Sequence, residues 1–273
     1  MSFGPAFAAL QSEGFLAQGC LAAGLTALRN AQFPDKASFY TGFFQLSVAL
    51  ERVLKLVLIV EHMRNNSFRP PSKADIERFR HKLGRLYEEC EQIAQSIGVT
   101  SFQVPSPGSL EGKILDFLSE FATKSRYYNL DSLQSTPSGY GDPLKAWDEI
   151  LFNVLETDVP ASKRHHRVAQ AKAIHGLLED SICVRQHGMD GRLLSSEAAF
   201  VLPAEHEIAA PYAMVRIFAV IRPALSLLGE IARRAFEDNM RVDRNTHHIP
   251  LMHEFFQLFD GTAAEIRRKK RWP

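Results

Sequence analysis

Phe43-Phe44-Gln45-Leu46-Ser47-Val48-Ala49-Leu50-Glu51-Arg52-Val53-Leu54-Lys55-Leu56-Val57-Leu58-Ile59-Val60 is the most apolar stretch of the chain, and its pattern is helical. Phe43, Leu46, Leu50, Val53, Leu54, Val57 and Val60 recur mostly at spacings of three and four, which puts them on one face. Phe44, Leu56, Leu58 and Ile59 widen that face around the cylinder. A helix apolar on most sides belongs in the middle of a bundle. It is predicted to run from Phe39 to Arg64, with Ser38 as its N-cap. Glu51 and Lys55 stand four apart in the favourable acid-before-base order. In a helix this buried both need partners, because a lone buried charge is prohibitively costly. The uninterrupted run Leu56–Val60 is far too short to span a bilayer.

Helices extend from it in both directions. Upstream, Leu10, Ala17, Leu21, Leu25 and Leu28 form a helix face between Pro5 and about Asn30, and Phe33-Pro34-Asp35 ends it. Downstream, Arg69-Pro70-Pro71 breaks the chain and Ser72 with Asp75 restarts it. Ile76, Phe79, Leu83, Leu86, Tyr87, Cys90 and Ile93 are then expected inward on one helix that runs to about Ile97, before Gly98. A fourth helix carries Ile114, Leu115, Phe117, Leu118 and Phe121, and the Ser-, Gly- and Pro-rich residues 131–143 have linker composition. Beyond them the pattern predicts helices near Leu144–Glu156 and Lys163–Ser181. Asp190-Gly191, amid Ile182, Val184, Leu193 and Leu194, is either a short hairpin or part of this helical run. A long helix from Pro211 to Asn239, kinked at Pro223, and a short one bearing Phe255, Phe256, Leu258 and Phe259 complete the pattern. The expected fold is all-α: one elaborated helical domain over residues 1–273, with a core near 38–131 and a helical extension over 143–273.

A composition of 45% hydrophobic and 23% charged residues can build a core and is unlike that of a disordered chain. Net charge is +1, so contact with nucleic acid would rest on local patches such as the tail Arg267-Arg268-Lys269-Lys270-Arg271. Cys20, Cys90 and Cys183 are scattered with no Cys-x-x-Cys pair, which suits a reduced, cytoplasmic setting. The first charged residue is Glu13 and no basic segment precedes the Ala/Leu stretch, so a secretory signal is not expected. Glycine-rich dinucleotide and P-loop motifs are missing, and the adjacent histidines at His165-His166 and His247-His248 do not give a helical metal pair. Neither cofactor nor metal is expected.

Three segments, in order, resemble the HEPN superfamily of helical bundles. Gly42 to Lys55 is similar to the family's opening helix, where a Glu and a Lys are embedded at this spacing. Arg80-His81-Lys82-Leu83, followed by Leu86, resembles the Gly-His-Asp-Leu region of the second helix, with Lys82 in the Asp position. Arg126-Tyr127-Tyr128-Asn129 resembles an Arg-Tyr-Pro element after the third helix, with Tyr128 in place of Pro. The resemblance covers roughly residues 38–131. It implies a homodimer, RNA as partner and, in catalytic members, metal-independent cleavage by an Arg-x(4–6)-His motif.

Among the ten histidines, that spacing occurs only from Arg241, to His247 with five intervening residues and to His248 with six. About two such matches are expected by chance from this composition, so spacing alone carries little weight. The chemistry suits the residue types: histidine titrates near neutrality and can move a proton at a ribose hydroxyl or leaving oxygen, while a guanidinium holds the phosphate. Arg241, His247 and His248 are therefore the candidate catalytic groups. Glu51, Lys55 and Arg126 form a second candidate cluster, whose simpler reading is a structural network with Tyr127 and Tyr128 packed at a helix end. Two functions follow as expectations. One is a HEPN-like RNA-processing or defence-type protein; the other is a non-catalytic helical module that dimerises or binds a protein or nucleotide.

Overall fold

A computed structural model describes residues 2–78, 81–134, 139–178, 180–181 and 183–273. Ten α-helices occur among them, and the fold is all-α. Helix α2 (Lys36–Asn65) is central, with α1 (Phe7–Asn30), α4 (Leu83–Ser96), α5 (Leu110–Thr123) and α9 (Ala198–Val242) packed around it. Phe43, Leu46, Leu50, Val53, Leu54, Val57 and Val60 are fully enclosed, as the stripe predicted. Glycines bring α1 and α2 together: a Cβ on Gly42 would fall 2.3 Å from Leu28 Cγ, and one on Gly24 would fall 2.8 Å from Leu46 Cγ. The cap of α2 is Asp35 and not Ser38. Its carboxylate accepts both the Ser38 N–H and the Ser38 hydroxyl, so the serine becomes part of the first turn.

Aromatic rings tie α2 to α5 and to α7 (Pro143–Thr157). The Phe43 ring lies 4.7 Å from Phe117, 5.4 Å from Trp147 and 5.5 Å from Phe121, centroid to centroid. Arg216 on α9 makes the polar counterpart. Its Nε and Nη2 donate to Asp158 at 2.7 and 2.6 Å, and its Nη1 donates to Glu111 of α5 at 2.7 Å.

Several boundaries differ from the sequence pattern. Ser72 and Asp75 do form a capping box, but α3 (Lys73–Glu77) buries none of its residues and stops before α4. Leu83, Leu86, Tyr87 and Cys90 are buried as expected, whereas Phe79 and Arg80 lie outside the described residues. After α5 come a 3-10 turn, Ser125–Tyr127, and the single turn α6 (Tyr128–Asp131). Helix α8 (Ala161–Leu178) packs on α9, which begins at Ala198 and continues through Pro203, Pro211 and Pro223. An interior proline costs about 3 kcal/mol. Burial of Ala204, Ile208, Ala209 and Ala213 holds α9 together across the first two. Between α8 and α9 a single antiparallel bridge, His187 to Leu193, closes the turn at Asp190-Gly191; Ile182 lies outside the described residues.

The C-terminal segment folds back over α1 and α9. Phe255, Phe256 and Phe259 are all buried, and the tighter 3-10 turns Met252–Phe255 and Gln257–Phe259 replace the expected α-helix. The basic tail is not free: Thr262 and Glu265 cap α10 (Ala263–Arg268), the Trp272 ring packs near Phe218 at 6.0 Å, and the Trp272 backbone N–H donates to Thr26 Oγ1 at 3.0 Å. A feature with no signal in the sequence is the parallel pairing of β1 (Ser2–Phe3) with β2 (Thr246–His247).

Two outcomes are expected. Phe43→Ala removes a ring enclosed by three others and should lower unfolding stability in urea by about 3–5 kcal/mol. Hydrogen bonding by Arg216 holds the Asp158 carboxyl below its ordinary 3.8. This group therefore contributes stability that is present above pH 3.8 and is lost as pH falls below it. Urea titrations from pH 6 downward should show that loss, and Arg216→Ala should flatten this part of the profile.

Candidate functional site

The embedded charges of α2 open onto a cleft of about 370 Å³ between α2, the start of α4 and the end of α5. Glu51, Lys55, His81 and Arg126 all line it. Lys55 Nζ donates to Glu51 Oε1 at 2.6 Å, and His81 Nδ1 lies 2.9 Å from Glu51 Oε2. A carboxylate only accepts, so Nδ1 carries a proton, and the tautomer that Glu51 selects has its lone pair on Nε2. Glu51 is 13% exposed and Lys55 23%, whereas His81 is 52% exposed. The carboxylate thus sits deep and the imidazole at the mouth.

Arg126 reaches the same cleft from the 3-10 turn after α5. Its Nε is buried and has no hydrogen-bond partner among the described residues. Its guanidinium carbon lies 4.9 Å from the centre of the Tyr127 ring. At the rim Arg52 pairs with Glu13. The cleft therefore holds three permanent cations, Arg52, Lys55 and Arg126, against the two carboxylates Glu13 and Glu51. The excess is positive, and among the described residues the cation of this cleft without an acid partner is Arg126.

Arg126 also borders a second, open hollow of about 550 Å³ with Tyr40, Phe44, Phe121 and Tyr127. Phe44 and Tyr127 are each nearly half exposed. Burial pushes the Tyr40 hydroxyl up to about 12, so it stays protonated at neutral pH, where it accepts from Asn129 Nδ2 at 2.9 Å. Cation and aromatic shelf thus share one boundary residue.

The Arg241 segment is arranged differently. Arg241 is 75% exposed and donates to Asp238 at 3.2 Å. Asp238 also accepts from Arg64 Nε of α2 at 2.9 Å. His247 stacks on Phe236 with ring centres 5.8 Å apart, and His248 stacks on Phe68 at 4.9 Å. Gly4 lies against His248, where an added Cβ would come within 2.4 Å of Nδ1. No hydrogen bond joins Arg241 to either histidine among the described residues. The structure gathers Glu51, Lys55 and Arg126 into one cleft, and places Arg241, His247 and His248 in the seam between the first residues and the end of α9.

Sequence reasoning missed the contact between His81 and Glu51, which are 30 residues apart. The only signal was His81 in the Arg80-His81-Lys82-Leu83 segment of the third predicted helix. No group of three His, Cys, Asp or Glu among the described residues is placed to hold a metal ion. No helix among them is long and apolar enough to cross a membrane. No family model, curated protein or solved structure matches the chain.

Glu51→Ala would leave Lys55 and His81 without their shared acceptor. Denaturant unfolding should show a loss of about 1–3 kcal/mol, the cost of orphaning partly buried charged donors. Glu51→Gln should lose less, because the amide oxygen still accepts.

Proposed function

We propose that the protein is a HEPN-like RNA-processing protein that grips a phosphate of single-stranded RNA in the α2–α4–α5 cleft and cuts beside it. The observation that carries this reading is the unpartnered, buried Nε of Arg126, placed where a cation-rich cleft meets an aromatic shelf. A guanidinium is suited to phosphate oxygens, and a base stacks on an exposed aromatic ring whatever its identity. Lys55 and Arg126 hold the phosphate, and Tyr127 and Phe44 receive the neighbouring base. His81, oriented through Nδ1 by Glu51, takes the ribose 2′-hydroxyl proton on Nε2. The 2′-oxygen then bonds to phosphorus as the bond to the 5′-oxygen breaks, leaving a 2′,3′-cyclic phosphate. The departing 5′-oxygen takes its proton from water. Glu51 keeps the imidazole in the required tautomer.

The earlier candidates Arg241, His247 and His248 make a weaker site on this geometry, because both imidazoles are stacked and the arginine turns to Asp238. The homodimer implied by the resemblance and the cytoplasmic setting suggested by the scattered cysteines belong to the same proposal. Light scattering should return twice the 30.7 kDa chain mass.

The test is cleavage and binding of end-labelled single-stranded RNA in excess EDTA. His81→Ala should slow cutting about a hundredfold or more while RNA stays bound. Arg126→Ala and Lys55→Ala should weaken binding. Cutting that survives His81→Ala but fails in Arg241→Ala or His247→Ala/His248→Ala would move catalysis to the other segment. Binding without cutting would make the bundle a non-catalytic RNA-binding module, and no binding at all would sink the RNA reading and leave the module that dimerises or binds a protein.

A further inference from the structure

A larger cleft lies on the opposite end of α1, where the last turn of that helix, the Phe33-Pro34 turn, α8 and the first half of α9 meet. Its volume is about 570 Å³, room for a ring with a charged substituent. Arg29 enters it from α1 with a buried Nε that has no hydrogen-bond partner, and it forms no ion pair among the described residues. Burial lowers the pKa of Arg29, while the charge of Glu207 partly offsets this. Glu207 itself is taken by Arg167, and Lys270 stands at the mouth.

His206 of α9 lines the same cleft and is 8% exposed. Its Nε2 lies 2.7 Å from Asp148 Oδ1, so Nε2 carries the proton donated to that carboxylate. Nδ1 is then left buried with no partner. Orphaned buried polar atoms are costly and rare, and two of them line one cleft here. The remaining wall is apolar: Phe33 edges the His206 ring at 4.8 Å, and Ile174, Phe200 and Pro203 continue it.

We propose that this cleft binds a small aryl anion, a flat ring bearing one carboxylate or phosphate head. The head pairs with Arg29, under Lys270, and the ring lies on the wall of Phe33, Phe200 and Pro203. A cation buried beside an apolar wall selects for a ring and a charge together, because neither inorganic phosphate nor a neutral ring satisfies both halves. This site is independent of the RNA reading and shares no residue with that cleft.

Calorimetric titration of the full chain with phenyl phosphate and with indole-3-acetate tests it, with inorganic phosphate as the head alone. Saturable one-to-one binding of at least one aryl anion is expected, with inorganic phosphate much weaker. Arg29→Ala should weaken the aryl anion about tenfold, the effect of losing a charge-assisted hydrogen bond. Arg126→Ala, in the other cleft, should leave it unchanged. Should Arg29→Ala fail to fold, Lys270→Ala at the exposed mouth and Phe200→Ala on the wall are expected to weaken the same binding. Absence of saturable binding by either aryl anion at millimolar concentration overturns the proposal. So does binding lost in Arg126→Ala but kept in Arg29→Ala.

Discussion

Enclosure of α2 on nearly every side is the constraint from which the other features follow. A helix so placed has little water to solvate its polar groups, and each must be answered within the protein. Glu61 is buried and accepts from Arg64 and Asn65, Ser47 donates to the Phe44 carbonyl, and Glu51 gathers Lys55 and His81. Arg64 carries the chain of partners outward to Asp238 on α9, fastening the centre to the longest helix. The polar arrangement that defines the candidate cleft is thus the local solution to a solvation problem.

The two clefts also differ in how their charges are balanced. Around Glu51 the carboxylate is oversubscribed, with a lysine and a histidine sharing it, and Arg126 stands outside that arrangement. Around Arg29 the available acids are already engaged, Glu207 by Arg167 and Asp148 by His206. In both places an arginine Nε is desolvated before any ligand arrives, so less of the favourable interaction with an anion would be spent on stripping water.

Much of this was legible beforehand, for reasons that differ by element. The faces of α1 and α2 were visible because burial on a helix writes a period into the sequence, and Leu21, Leu25, Phe43 and Leu50 are all enclosed where the spacing put them. Glu51 and Lys55 were visible as charges in an apolar run. The start of α9 was obscured because Pro203 and Pro211 resemble stops, and only packing outweighs their cost. The 3-10 turns at Phe255 and Phe259 escaped because Phe255, Phe256 and Phe259, spaced one, three and four apart, fit an α-helical face equally well. His81 against Glu51, and Arg29 beside His206, come from separate segments, and nothing local to either residue announces its neighbour.

The pairing of Ser2–Phe3 with Thr246–His247 and of Thr26 with Trp272 has a consequence for how the chain comes into being. A ribosome delivers α1 and α2 early, and their hairpin is local enough to form at once. The strand that clasps residues 2 and 3, and the Trp272 backbone N–H that donates to Thr26 of α1, emerge more than 240 residues later. Until those residues are made, the contacts that cover this flank of the hairpin are absent. Its closure waits for residues 246–272, which are fitted against segments made more than 240 residues before them.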